Sequence, residues 1–214
     1  MTTANTRNYQ SVPDLNILIA ARFERSIAVS EIFFATEVTR ISEACWAMAR
    51  RFHQHGRLLA FGNGAAATDA QHVSVEFVHP VIVGKRALPA LALTNDSATL
   101  SAPRNDHQRG SSNGVQFARR LSVLARKEDI AMGFSPDGRC ANVLEALQAA
   151  RGMGLLTLGL AGADGGLFAE AGLDFCFVVP TDDPLVVQET HETLYHVLWE
   201  LVHVFFEHEG LLND

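Results

Sequence analysis

Cysteine is scarce in this chain. Of 214 residues only Cys45, Cys140 and Cys176 are cysteine, far apart and with no C-x-x-C pair. That excludes a disulfide framework and a thiolate zinc knuckle, and a reducing, cytoplasmic setting is expected. Long apolar runs are missing too. No segment approaches the roughly 18 to 20 apolar residues of a membrane span, and the N-terminal Met-Thr-Thr-Ala-Asn-Thr-Arg has no apolar signal-peptide core. Neither membrane insertion nor secretion is expected. Positive charge is in deficit, with 17 Lys plus Arg against 24 Asp plus Glu, a net charge of −7. Such a surface opposes phosphate-backbone binding, so nucleic acid is not an expected partner. Repeats, low-complexity segments and linkers are absent as well. What is present, 48% hydrophobic and 19% charged residues, fits one domain over residues 1–214 that buries a full core.

From Leu15 to His55 the chain has neither Gly nor Pro, and Val38, Ile41, Cys45, Met48 and Phe52 recur at helical spacing. This predicts a long helical arm within residues 1–56. The arm also carries Phe23, Ile32, Phe33 and Phe34, more apolar surface than one buried face needs, and part of it is expected to meet another subunit. After Gly56 five short apolar runs alternate with helical segments, as in parallel βαβ units. The runs are Arg57–Gly62, Leu88–Thr94, Asp129–Phe134, Leu155–Leu160 and Asp174–Val179. Helices are predicted at Thr68–Val78, Gly114–Arg126 and Asn142–Arg151, with a short one near Leu167–Ala171. A long closing helix starts at Pro184 and carries Val187, Thr190, Leu194, Val197, Leu201 and Val202 on one stripe. The expected architecture is a three-layer α/β/α sandwich on a five-stranded parallel sheet, flavodoxin-like, with the α/β core over 57–214.

In such sheets ligands sit beyond the carboxyl ends of the strands. The loop after the first run, Phe61-Gly62-Asn63-Gly64, allows a tight turn into a helix whose free N–H groups suit an anion. An ordinary strand-to-helix turn explains it equally well. His72 and Glu76 stand four apart on the following helix and point the same way, close enough to share an ion or a substrate. The closing helix offers Gln188, His191, His196, His203 and His208; the last two read as tail residues, and His196 lies near the apolar stripe. The third loop, Ser135-Pro136-Asp137-Gly138-Arg139-Cys140-Ala141-Asn142, has the Ser and Gly of a phosphate cradle, but Asp137 would repel a phosphate.

Taken together these stretches resemble the sugar-isomerase (SIS) domain, and within it the phosphoheptose isomerases. The resemblance covers nearly the whole chain. It is carried by Phe61-Gly62-Asn63-Gly64 with Asp69-Ala70-Gln71-His72 and Glu76, by Leu88-Pro89-Ala90-Leu91-Ala92-Leu93, by Asn105-Asp106, and by Asn142-Val143-Leu144-Glu145-Ala146-Leu147. Further carriers are Leu158-Gly159-Leu160-Ala161-Gly162 with Asp164-Gly165-Gly166, then Gln188-Glu189 with His191 and His196. It implies an aldose–ketose isomerase converting sedoheptulose 7-phosphate to a heptose 7-phosphate, working between subunits of a homotetramer. Glu76 matches the family's catalytic base and His196 its acid, which suits proton transfer through an enediol. In zinc-bearing members the ligands match His72, Glu76, Gln188 and His196. Substrate contacts are expected from Asn63, Gly64, Asp106, Ser135, Arg139, Asn142 and Gln188.

Departures accompany the matches. The family clamps its phosphate with a Ser in the first loop and a Ser-Thr-Ser-Gly-x-Ser run in the third. Here those positions hold Ala66, and Ser135 followed by Pro136, Asp137 and Cys140. Each hydrogen bond lost to a charged group costs on the order of 1.5–3 kcal/mol. Arg139 is the expected substitute anchor unless Asp137 takes it. The substrate is therefore either a sugar phosphate held differently or a related sugar. Two rival readings remain: a non-catalytic SIS protein that binds a sugar phosphate or a protein partner, as the initiator-associating protein of bacterial replication does, and a metal-dependent activity on an unrelated substrate. Gln188 and His196 lie eight residues apart, about 12 Å along a straight helix, so their meeting at one ion requires either reaching side chains or two subunits.

Overall fold

A computed structural model describes residues 14–96, 98 and 116–212. The expected arm is one helix, α1 (Leu15–His53), opened by Asp14, whose carboxylate accepts from the Asn16 amide at 2.9 Å. There follow β1 (Leu58–Gly62), α2 (Ala65–Val78), β2 (Ala90–Ala92), α3 (Gln116–Leu124), β3 (Ile130–Phe134), α4 (Ala141–Gly152), β4 (Leu156–Gly162), the single turn α5 (Gly166–Ala169), β5 (Phe175–Val179) and α6 (Pro184–Glu207), with a short 3₁₀ turn at Glu209–Leu212. Pro184 occupies the first turn of α6. Asp183 caps that helix, accepting from the amides of Leu185 and Val186.

The strands form one parallel sheet in the order β2-β1-β3-β4-β5, as the alternation of apolar runs and helices predicts. β1, β3 and β4 are buried along their whole length because helices cover both faces. One face packs α1, α2 and α6 through Met48, Phe52, Val73, Phe77, Leu194 and Leu198. The other packs α3 and α4 through Phe117, Leu121, Val143 and Leu147. Buried Asp129 ties the entries of β1 and β3 together, accepting from the Arg57 guanidinium at 2.7 Å and the Arg126 amide at 3.0 Å.

The largest boundary differences from the sequence expectation are at β2 and α2. β2 is three residues rather than seven, because it is the sheet edge and pairs with β1 only over Ala90–Ala92. α2 starts at Ala65, three residues earlier than expected. Gly64 takes φ +57°, and the amides of Ala66 and Ala67 turn back onto the carbonyls of Asn63 and Gly64, so the Ala-Ala-Ala run already forms the first turn. The N-terminal part of the expected helix at 114–126, like Asp106, lies outside the described residues.

Candidate active site

α2 follows β1 and α6 follows β5, and on one face of the sheet the two helices lie side by side, running the same way. The Gln188 side-chain amide, in the first turns of α6, donates to Asp69 Oδ1 at 3.1 Å and approaches Thr68 Oγ1 at 3.3 Å and the Ala65 carbonyl at 3.4 Å. Further along the seam, Glu192, Tyr195 and His196 meet His72. The Tyr195 hydroxyl lies 2.8 Å from His72 Nδ1, Glu192 Oε1 lies 3.5 Å from the same nitrogen, and the two imidazole rings of His72 and His196 stand 5.1 Å apart, edge to face. His72 Nε2 faces Glu76 Oε1 at 3.2 Å, the contact that i, i+4 spacing on one helix makes available.

His72 and His196 therefore meet inside one protomer. Of the four residues expected to share an ion, Glu76 joins this group through His72, while Gln188 is tied by its amide to Asp69 a turn away. Asp69, Glu192 and Tyr195 belong to the seam but were not singled out from the sequence. The available signal was the spacing 188, 192, 196 on α6, one residue per turn on one face. One donor atom each from His72, Glu192 and His196 lies within 4.8 Å of the others, the only such trio of His, Cys, Asp or Glu among the described residues.

Electrostatics mark the same place. Burial pushes the Asp69 carboxyl up to about 6; the Gln188 hydrogen bond opposes this and the Glu192 charge adds to it. Burial, helped by the negative charge of Asp69, Glu192 and Glu76, holds the Tyr195 phenol well above its usual range, so its hydroxyl stays protonated as a donor. The Tyr195 hydroxyl then faces Nδ1 of His72 and the Glu76 carboxylate faces Nε2, so each ring nitrogen has a polar partner.

His191, carried by the next turn of α6, faces the opposite way. It is buried, and its Nε2–H donates to the Ala161 carbonyl on β4 at 3.1 Å. Burial pushes its pKa down to about 4, with the carbonyl opposing. Below pH 6.5 the unfolded chain takes up a proton that the native state refuses. His191 therefore costs stability as pH falls from 6.5 to about 4, by about 3 kcal/mol. Asp69 works in the other direction below about 6. His191→Gln keeps a side-chain donor and removes the titration, so urea midpoints between pH 7 and 4.5 should fall less steeply for the variant than for the wild type. Equal slopes would contradict this assignment.

At the carboxyl edge of the sheet, the Asn63 and Asn142 side-chain amides bond each other reciprocally at 2.7 and 3.0 Å, joining the first and third loops. Gly64 beside them is exposed, with open space where a side chain would stand. Ser135 is fully buried. Its hydroxyl accepts from the Cys140 amide at 3.3 Å and turns to Asp137 Oδ1 at 3.4 Å, and the same carboxylate oxygen accepts from the Arg139 amide at 3.0 Å. The Arg139 guanidinium pairs with Asp164 at 2.7 Å rather than with the Asp137 carboxylate, and with the Asp137 carbonyl at 3.1 Å. Both ends of the Arg139–Asp164 pair are solvent-exposed, so it is weak and exchangeable.

Comparison with known proteins identifies relatives of the whole chain. The model of the SIS domain matches residues 23–162. The chain is 39% identical to the phosphoheptose isomerase of Solidesulfovibrio magneticus over 193 residues, 89% of this chain and 91% of that one. It is also 39% identical to the phosphoheptose isomerase of Desulfovibrio desulfuricans, over 91% of each chain. Among solved structures it is similar to phosphoheptose isomerase GmhA of Neisseria gonorrhoeae, with TM-score 0.78 and 32% identity over 88% of this chain and 98% of that one.

Proposed function

The chain belongs to the SIS domain family, and on that premise we propose that it is an aldose–ketose isomerase of the phosphoheptose type, acting on sedoheptulose 7-phosphate or a close relative. The observation that carries this reading is the His72–Glu76–His196 group, gathered by α2 and α6 within one protomer. Isomerisation moves a proton between adjacent carbons through an enediol, and it needs a base at the C–H and an acid at the carbonyl oxygen. Glu76 is the base: its partly buried carboxylate is oriented by the His72 N–H. His196 is the acid, on the facing helix. Asn63, Gly64 and Asn142 are the residues of the sugar-binding edge, with Ser135, Arg139 and Gln188 as further contacts; Asp106, also expected to bind substrate, lies outside the described residues.

The imidazole and carboxylate donors along the seam suit a divalent ion of the zinc type, with His72 and His196 as its anchoring imidazoles. When bound, such an ion would polarise the substrate carbonyl and stabilise charge on the enediol oxygens. A homotetramer with sites near subunit contacts fits the outward face of α1, where Leu15, Ile17, Ile19, Phe23, Ile27 and Ile32 are all exposed. Among the described residues no helix is long and apolar enough to cross a membrane. Three free cysteines, with the buried Cys45 thiol pushed up to about 12, suit a cytoplasmic location.

The non-catalytic reading draws support from one observation: the third loop uses its Ser135 hydroxyl and Arg139 amide on its own Asp137. Turnover separates the two. Sedoheptulose 7-phosphate incubated with the protein should yield an aldose heptose 7-phosphate, followed by ¹H NMR. Binding without conversion would establish the sugar-phosphate-binding role instead.

A further inference from the structure

We propose that Tyr195 is a positioning residue for the isomerase reaction: its hydroxyl holds Nδ1 of His72, and through that ring it fixes the place of the Glu76 carboxylate. The inference rests on the reading of Glu76 as the base.

Burial is the first observation. Tyr195 is 1% exposed, and a buried phenol hydroxyl needs a polar partner. That partner is His72 Nδ1, at 2.8 Å across the seam between α2 and α6. The Tyr195 ring is itself fixed. It packs edge to face on buried Phe134 of β3, with centroids 6.2 Å apart, so the hydroxyl takes its place from α6 and the sheet and not from α2.

His72 is the part that needs holding. Its side chain is partly exposed, and its Nε2 meets Glu76 Oε1 at 3.2 Å through an i, i+4 contact on α2. Such contacts are weak by themselves, and rotation about the Cβ–Cγ bond can carry Nε2 away from the carboxylate. The two nitrogens belong to one rigid ring, so a hydrogen bond at Nδ1 sets the direction in which Nε2 points. Tyr195 supplies that bond from outside α2.

Glu192 is the other polar neighbour of Nδ1, and it is poorly suited to the task. Its Oε1 lies 3.5 Å away, beyond the usual range of an N–H···O bond, and its side chain is exposed. An ionised carboxylate also only accepts, whereas a phenol hydroxyl donates to a bare Nδ1 and accepts from a protonated one. The hold of Tyr195 therefore persists whichever ring nitrogen carries the proton, and Nε2 stays on the Glu76 side to meet the carboxylate or an ion. The same phenol ring stands edge to face with both imidazoles, 5.3 Å from His72 and 5.1 Å from His196, which are themselves 5.1 Å apart. One residue of α6 thus spaces the base-side ring from the acid.

The test joins steady-state kinetics to ¹⁵N spectroscopy of the imidazoles in the full-length protein, with His72→Gln to assign the His72 signals. Spectra are recorded with a chelator present, so that no metal fixes the ring, and at about pH 8, where an ordinary imidazole is neutral. In the wild type the two His72 nitrogens should show the well-separated shifts of one fixed tautomer. In Tyr195→Phe they should move toward the common value of a ring exchanging between tautomers, while those of His191, bonded to the Ala161 carbonyl, stay in place. With sedoheptulose 7-phosphate the variant should lose about 10- to 100-fold in kcat with KM within about threefold, since a misplaced base loses rate rather than binding. A tyrosine that served packing alone would lower the melting temperature of Tyr195→Phe and leave both the His72 shifts and kcat unchanged; that result overturns the proposal. If Tyr195→Phe misfolds, the wild-type spectrum decides, a single tautomer sustaining the proposal and averaged shifts overturning it. A fixed His72 ring in a wild type that converts no sugar would overturn the isomerase reading and the role of Tyr195 in it, whereas normal wild-type turnover with an unaffected Tyr195→Phe overturns the proposal alone.

Discussion

Replacing Glu76 by Gln is expected to lower kcat for aldose–ketose conversion by about 10³-fold while KM changes by no more than a few-fold. General base catalysis contributes about 10²–10⁴-fold in rate, and an amide of the same shape cannot accept the substrate proton. The substitution keeps an oxygen that can face the His72 N–H at 3.2 Å, so the local geometry survives. The loss should therefore fall on the proton-transfer step and not on folding or sugar binding. Steady-state kinetics by NMR or a coupled assay, with thermal melting as a control, reads both parameters. A variant that keeps more than a tenth of wild-type kcat would remove Glu76 from the role of base and leave His72 or Glu192 as the carrier of the proton.

Gly138→Ala should be the most damaging small substitution in the third loop. Gly138 adopts φ +70°, a region unfavourable to any residue with a side chain, and a Cβ there would sit 1.9 Å from the Gly165 carbonyl oxygen. The obstacle is backbone, so no rotamer change relieves it. The carbonyl of the same residue accepts from the Leu167 amide at 3.1 Å, which ties the third loop to α5 and sets where Arg139 meets Asp164. Backbone strain of about 1–3 kcal/mol adds to displacement of two packed loops, so a total of about 3 kcal/mol or more is expected. For a chain of this size that lowers Tm by about 10 °C. Calorimetry or a thermal melt measures it directly. A Tm within about 2 °C of wild type would mean that the two loops separate more easily than their contact suggests.

How far the sequence led depends on the element. The five strands and their helices were legible because fully buried parallel strands read as short apolar runs, as in Ile130–Phe134, and because Asp183-Pro184 announces a helix start. The long α1 was legible from the missing Gly and Pro. The extent of β2 was not, since the number of rungs that an edge strand makes is decided by its neighbour rather than by its own residues. His72 with Glu76, and His196, were legible through their spacing and the family resemblance. Asp69, Glu192 and Tyr195 were not, because which face of α6 meets α2 is a property of packing. Once Gln188 is seen on Asp69, the residues four, seven and eight positions further along α6 necessarily fall on the same seam. The expected role of Arg139 as an anchor also depended on tertiary contacts, since its partner Asp164 lies 25 residues away.

The most direct test of the central reading is solvent-hydrogen exchange during turnover. Sedoheptulose 7-phosphate incubated with the wild-type protein in deuterated water should acquire deuterium at carbon 1 of the recovered ketose and at carbon 2 of the aldose product, and Glu76→Gln should abolish that incorporation. No conversion and no deuterium at high concentrations of folded protein would contradict an enediol isomerase, leaving the SIS domain here as a binding module.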